Sequence, residues 1–214
     1  MTPGNTERHQ SQGHSALRNF QMAYYCAHDD ALFFTDSSPD ALTAGLLTLL
    51  TARAIPVPRT ISFEYTADAT VTTRGPITIT VYGQDQFGRS ITDTLTHAGV
   101  TASTSPTVHG LKVFARIDAI NLDAAIVNAQ AGDTFEIGLS IAESPGSIIW
   151  GLPQRVASAA AFLGLFLDEA GTYTIRPLTD ITYVPGVDGV KFAAGSVPDA
   201  GDDRVLWLSG RTDI

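Results

Sequence analysis

The sequence predicts an all-β fold of antiparallel strands, and three observations carry that expectation. Short runs of alternating apolar and polar residues recur from about residue 20 to residue 141. The cleanest places Phe135, Ile137, Leu139 and Ile141 in alternation with Glu136, Gly138 and Ser140. Turns rich in Gly, Asp, Ser and Pro divide these runs. No long segment of helical period stands between them. Such spacing points to an antiparallel β-sandwich, immunoglobulin-like or jelly-roll-like, with an extended N-terminal arm and a small C-terminal β extension. The expected division is an arm over 1–18, a main sandwich over 19–145 and a C-terminal β subdomain over 146–214 packed on it. A chain of 214 residues is long enough for one large β domain or for one with a smaller companion.

Taken in order, the polar stretch from Met1 to Leu17 buries no apolar area by itself, so it is expected to be disordered or laid against a partner. Phe20 to Thr35 reads as strand, turn and strand, with His28-Asp29-Asp30 as the turn. Ser37-Ser38-Pro39-Asp40 offers an N-cap with proline at the first helical position. The leucines that follow, Leu42, Leu46, Leu49 and Leu50, fit a helical face, which Gly45 and three threonines weaken. A helical turn followed by a strand fits equally well. Pro56-Val57-Pro58 forces extended backbone and marks a crossing between elements. Next, Ile61, Phe63 and Tyr65 lie on one face of a strand and Ser62 and Glu64 on the other.

The stretch ITITVYGQDQFGRSITDTLT, Ile77 to Thr96, predicts a hairpin. Ile77, Ile79 and Val81 form its apolar face and threonines line the other, where β-branching suits the pleat. Gly83 and Gly88 supply turn positions free to take positive φ. Val108 to Ile120 reads as one more strand, with Val113, Ala115 and Ile117 sharing a face, and Gly132-Asp133 as punctuation after a connection. In the last third, Trp150-Gly-Leu-Pro153 reads as a tight aromatic-anchored turn. Ser158 to Leu167 suits a buried strand or short helix, and Gly171–Arg176 and Val205–Ser209 are strand-like. Val187-Asp188-Gly189-Val190 carries an Asp-Gly hairpin signal.

Composition limits the function classes. Hydrophobic residues make up 44% and charged residues 16%, a balance suited to a β-rich protein whose surfaces face other proteins. The formal net charge is −9 and only two lysines occur, Lys112 and Lys191. No basic cluster appears, so no nucleic-acid partner is expected. The N-terminus lacks the layout of a signal peptide and no apolar run reaches about 18 residues, so no membrane partner is expected and cytoplasmic assembly is. A single cysteine, Cys26, sits in an apolar run and reads as a small buried hydrophobe.

Candidate chemistry is weighed residue by residue. His28-Asp29-Asp30 has metal-ligand types, but adjacent strand residues point to opposite faces, and a turn is favoured. Gly201-Asp202-Asp203 reads as a solvated turn after Pro198-Asp-Ala. His97 and His109 flank a loop containing serines, without the strained Gly-x-Ser-x-Gly elbow of a nucleophile. His9 and His14 lie in the polar arm. No phosphate-binding loop, dinucleotide fingerprint or His-Glu-x-x-His run occurs. No catalytic, cofactor-binding or metal residues are therefore assigned, and a non-enzymatic role is expected.

Several motifs carry a resemblance. Pro58-Arg59-Thr60-Ile61, then Gly83-Gln84-Asp85-Gln86-Phe87-Gly88-Arg89, then Gly110-Leu111-Lys112-Val113-Phe114 follow one another in the order of a strand, a hairpin and a strand. Later stretches, GDTFEIGLS with WGLPQRVAS and YVPGVDGVKF, continue the pattern. Across residues 56 to 192 the chain resembles a group of tailed-bacteriophage virion structural proteins, capsid-associated β-sandwiches of cement or decoration type. The first 55 residues match no motif of that group, and its closing turn appears here as Pro185-Gly186-Val187-Asp188. The resemblance implies a cement or decoration protein at the capsid surface of the virion, bridging and stabilising the major capsid protein. A partnership with itself is expected too, as a homotrimer or other symmetric oligomer. A tail or head–tail connector component is the alternative. A carbohydrate-binding sandwich stacking Trp150, Trp207 or Tyr82 on sugar rings is a third.

Overall fold

The computed structural model describes residues 16–21, 29–37, 39–50, 54–68, 73–99, 107–139, 147–152, 155–156, 158–169, 172–193 and 202–210. The fold is all-β, an antiparallel β-sandwich. Every pairing between its strands is antiparallel. In chain order the strands are β1 (Ala16–Gln21), β2 (Asp29–Asp36), β3 (Gly45–Leu46), β4 (Ala54–Arg59), β5 (Ser62–Thr66), β6 (Ile77–Gln84), β7 (Ser90–His97) and β8 (Thr107–His109). There follow β9 (Phe114–Leu122), β10 (Thr134–Leu139), β11 (Trp150–Gly151), β12 (Phe162–Glu169), β13 (Thr172–Arg176), β14 (Ile181–Val184), β15 (Gly189–Phe192) and β16 (Asp202–Gly210).

One sheet has the order β2-β10-β5-β8. A longer one runs β14-β15-β11-β4-β9-β6-β7, with β3 on β9, and a third has the order β1-β16-β12-β13. The main core fills the space between the first two. Phe33, Phe63, Tyr65, Phe135 and Ile137 meet Ile77, Ile79, Val81, Ile117 and Ile120, all nearly inaccessible. Phe135 makes edge contacts with Phe63 at 5.0 Å and Phe34 at 5.4 Å, each adding about 0.5–1.5 kcal/mol beyond its buried area. A second cluster joins Trp150, Leu152, Val190 and Phe192 to Phe162 and Leu165 of β12. The long sheet thus contributes to both cores.

The alternating runs form strands as expected. Ile61, Phe63 and Tyr65 are fully buried, and so are Ile77, Ile79 and Val81. The ambiguous leucine stretch is not an α-helix: a 3-10 turn at Pro39–Ala41 leads to β3. Gly45, at φ 140°, breaks helical continuation there. Beyond it the chain crosses from one sheet to the other, Leu47 N donating to Ile120 O and Leu50 N to Phe33 O. Leu42, Leu47 and Leu49 pack on the core while Leu46 and Leu50 stay exposed.

Four expectations are corrected. Asp29 and Asp30 do not form a turn; they open β2, where Asp29 faces Leu139. Trp150 and Gly151 are not a turn; they form β11, held between Arg59 of β4 and Val190 of β15. A tryptophan with no exposed surface is a core residue, and Gly151 beside it leaves no room for a Cβ, which would lie 2.6 Å from Val113. Asp202 and Asp203 are not a turn; they begin β16, opposite Glu169 and Asp168. Finally, Val108 to Ile120 is not one strand. Gly110–Val113 separates β8 from β9, and the buried face of β9 comprises Phe114, Ile117, Ile120 and Leu122, with Ala115 only partly covered.

A bulge explains the step from Ile117 to Ile120 on that face. Tyr82 faces Ala119 but Gly83 faces Ile117, so Asp118 is an extra residue on β9 and its side-chain parity reverses there. Gly83 sits where the bulge brings the strands together. A Cβ on it would run into the Arg116 carbonyl oxygen and lie 2.9 Å from the Phe114 ring. Gly83→Ala is therefore expected to cost about 1–3 kcal/mol by overpacking, read as a lower urea midpoint. An unchanged midpoint would mean that β9 yields freely at this point.

β1 covers residues 16–18 of the stretch expected to be an arm, and it pairs with β16. The earlier part of that stretch, with His9 and His14, lies outside the described residues, as do Cys26, His28 and Ile141.

Candidate functional site

The tip of the β6–β7 hairpin is the most elaborated polar feature on the described surface. Asp85 builds it. Its Oδ1 accepts from the backbone N–H groups of Phe87 at 2.8 Å and Arg89 at 2.9 Å, and its Oδ2 accepts from Arg89 Nε at 2.6 Å. Asp85 N donates to Arg89 O, and Gly88, at φ 77°, closes the turn with its N–H on Asp85 O. Burial alone would raise the Asp85 carboxyl. The Arg89 and Phe87 donors outweigh it and hold the group below the usual carboxylate range.

This tip docks on the turn between β14 and β15. Gln86 Nε2 donates to the carbonyls of Val187 at 3.0 Å and Asp188 at 3.2 Å. Asp188 adopts a left-handed conformation, φ 48°, which an Asp tolerates better than most residues. Its carboxylate lies 3.8 Å from both Arg89 and Arg155. Both guanidinium groups also lie over the Phe87 ring, at 5.1 Å and 5.4 Å from its centre. Tyr183 OH donates to Val156 O at 2.8 Å, and its phenol is pushed upward by burial and by the Asp188 charge. Beside this junction lies a cleft of about 300 Å³, walled by Arg89, Ser90, Ile91, Lys112, Val113 and Val187. Lys112 is exposed, and its backbone N–H is fixed by Asp93 Oδ2 at 2.9 Å. The charged residues of its lining are Asp85, Arg89 and Lys112.

A second polar centre is internal. Asp133 has no exposed surface and accepts from five donors. Oδ1 takes Arg74 at 2.6 Å and the Asp68 N–H at 2.7 Å. Oδ2 takes Tyr65 OH at 2.6 Å, Arg74 Nε at 2.9 Å and the Gln130 N–H at 2.9 Å. Burial opposes ionisation, yet the five donors hold the carboxyl far below its usual range; burial and the same carboxylate push the Tyr65 phenol well up. With both charges covered, this centre ties β5 and two loops together and offers nothing to a ligand.

The residues weighed from sequence are dispersed. His97 is buried against Phe63 and Tyr65, its Nδ1 accepting from the Gly99 N–H at 3.1 Å. His109 lies on β8 opposite Ser62. Trp150 is wholly buried under Arg59, 4.8 Å from its ring centre, and is out of reach of a sugar. Trp207 lies on β16 opposite Asn19, and Tyr82 is exposed. No group of three residues suited to holding a metal occurs among the described residues.

The sequence reading missed the Arg74–Asp133 pair, whose partners stand 59 residues apart. It also missed the roles of Asp85 and Asp93 in the hairpin. The one local signal was the Asp85 to Arg89 spacing around Gly88. The chain matches no family model, no curated protein and no solved structure.

Proposed function

We propose that the chain is a non-enzymatic structural protein of a tailed-phage virion, a cement or decoration protein that bridges and stabilises major capsid subunits at the capsid surface. One observation supports this reading above others. Several of the motif residues behind the resemblance build architecture. Asp85, Gly88 and Arg89 make a turn, and Gln86 fastens it to a second hairpin. Arg59 donates from the interior to Leu139 O at 3.0 Å, Trp150 fills the second core, and Asp188 sets a left-handed corner. A motif shared for such reasons suits a protein whose product is a surface.

The physical logic is that of a clamp. A shell under internal pressure gains from proteins spanning neighbouring subunits, and each contact needs roughly 800 Å² per partner to persist. The outward positions of β7, Thr92, Thr94 and Thr96, are exposed and uncharged, which keeps the desolvation cost of such contacts low. In this reading the protein acts as a homotrimer or other ring matched to the symmetry of the shell.

The deciding experiment is the copy number of this chain in purified particles, by quantitative mass spectrometry with immunogold imaging. Cement proteins are present in hundreds of copies distributed over the head. A few tens at one vertex or along the tail would replace this reading with a connector or tail component. Absence from particles would remove the virion reading altogether.

A further inference from the structure

We propose that the cleft beside the β6–β7 tip is a binding site for carboxylate groups, and that its ligand is an acidic segment of a neighbouring protein. The local charge runs against that of the chain. The whole molecule carries −9, yet the cleft is lined by two cations, Arg89 and Lys112, and one carboxylate, Asp85, while a third cation, Arg155, shares the Asp188 carboxylate with Arg89.

Two of those cations have donors to give. Arg89 is held from one side: its Nε is tied to Asp85, and its guanidinium lies over Phe87. Its terminal nitrogen stands 3.8 Å from Asp188, close enough to feel the charge and too far for a hydrogen bond. The rigid guanidinium thus keeps a terminal edge for a planar acceptor, the geometry that suits a carboxylate. Lys112 has its backbone anchored by Asp93 and its side chain exposed, and it forms no ion pair among the described residues. Ile91 and Val113 supply an apolar wall that strengthens charge interactions beside it, and Ser90 adds a hydroxyl.

Charge and size select the ligand class. Among the residues lining the cleft, Arg89 and Lys112 outnumber the Asp85 carboxylate by one charge, and the nearby Asp93 carboxylate is taken up by the N–H groups of Leu111 and Lys112, so the site suits a monoanion better than a phosphate dianion. About 300 Å³ is the lower limit of small-molecule sites, enough for an acidic side chain with its methylenes. A lone carboxylate held by exposed or half-exposed cations gains little, because water screens the pair. Useful affinity therefore comes from a longer segment that buries surface beside the cleft while its acid enters it. This assignment deepens the virion reading by stating the chemistry of the surface the protein meets, and rests on that reading only for the neighbour's identity.

The test is a titration of the full ¹⁵N-labelled chain with a hexaglutamate peptide at low salt, following the amides of Ser90, Lys112 and Val187. Saturable shifts at these amides are expected, with affinity falling as salt is raised through the physiological range. Lys112→Glu is expected to weaken binding about tenfold, and Lys112→Ala by less. Lys191→Glu imposes the same change of net charge from β15 and is expected to leave affinity unchanged. No shifts at the three amides, an unaffected Lys112→Glu, or equal loss in both charge reversals would overturn the site. Inorganic phosphate shifting the same amides at lower concentration than the peptide would overturn the carboxylate assignment. Because the titration uses isolated protein, its failure is separate from the failure of the particle measurement.

Discussion

Asp133→Asn is expected to lower the unfolding free energy by about 3–5 kcal/mol, the range for removing one member of a buried ion pair. The substitution keeps shape and changes charge. Asn presents one acceptor oxygen and one NH2 donor where five donors now converge, so at least one N–H must face another N–H. Arg74, with 1% of its side chain exposed, then loses the Asp133 carboxylate that faces its charge in the interior. The loss also has a pH signature. The Asp133 carboxyl titrates below its unfolded value near 3.9, so its contribution is complete above that value and drains away as pH falls toward the folded value. Urea midpoints measured from neutral pH down to about pH 2 should show the wild type approaching the variant as acid is added. A neutral-pH difference under about 1 kcal/mol, or a gap that widens with acid, would refute this account of the cluster.

Trp150→Ala is expected to cost about 3–5 kcal/mol, as for other fully buried aromatics, and to do so regionally. Trp150 lies where the second core meets the long sheet. Removing its ring empties the space between Val190 and Leu152 and takes from Arg59 the aromatic face that covers its guanidinium. The main core, with Phe63, Phe135 and Ile79, lies in the other cluster. Hydrogen exchange should therefore rise first in β15 and β11, while amides of β10 and β6 keep their protection. Uniform acceleration across all four strands would mean that the two cores unfold as one unit.

Sequence periodicity captured what is local. Alternation within a strand needs no knowledge of its partner, so β5, β6, β7 and β10 were legible, as was the β14–β15 hairpin from its Asp-Gly pair. The errors fell where a distant segment decides. Trp150 reads as a turn until β4 and β15 are seen on either side of it. The face of β9 reverses at Asp118 because β6 approaches closely at Gly83, a constraint no window over residues 108–120 contains. The site divides the same way. Asp85 and Arg89 are four apart and share a Gly-containing turn, whereas the junction around them also needs Lys112 and the 185–188 turn at the cleft and Arg155 beside Asp188. Those come from three other parts of the chain.

The pairing of β1 with β16 also governs how the molecule is made. Ala16 lies opposite Gly210 and Gln21 opposite Val205, so the first described strand cannot find its partner until β16 has left the ribosome. The β6–β7 hairpin closes long before that, within a few residues of its own emergence. During translation the β1–β16 ladder therefore forms only after the hairpin and the segments between the two strands have been made.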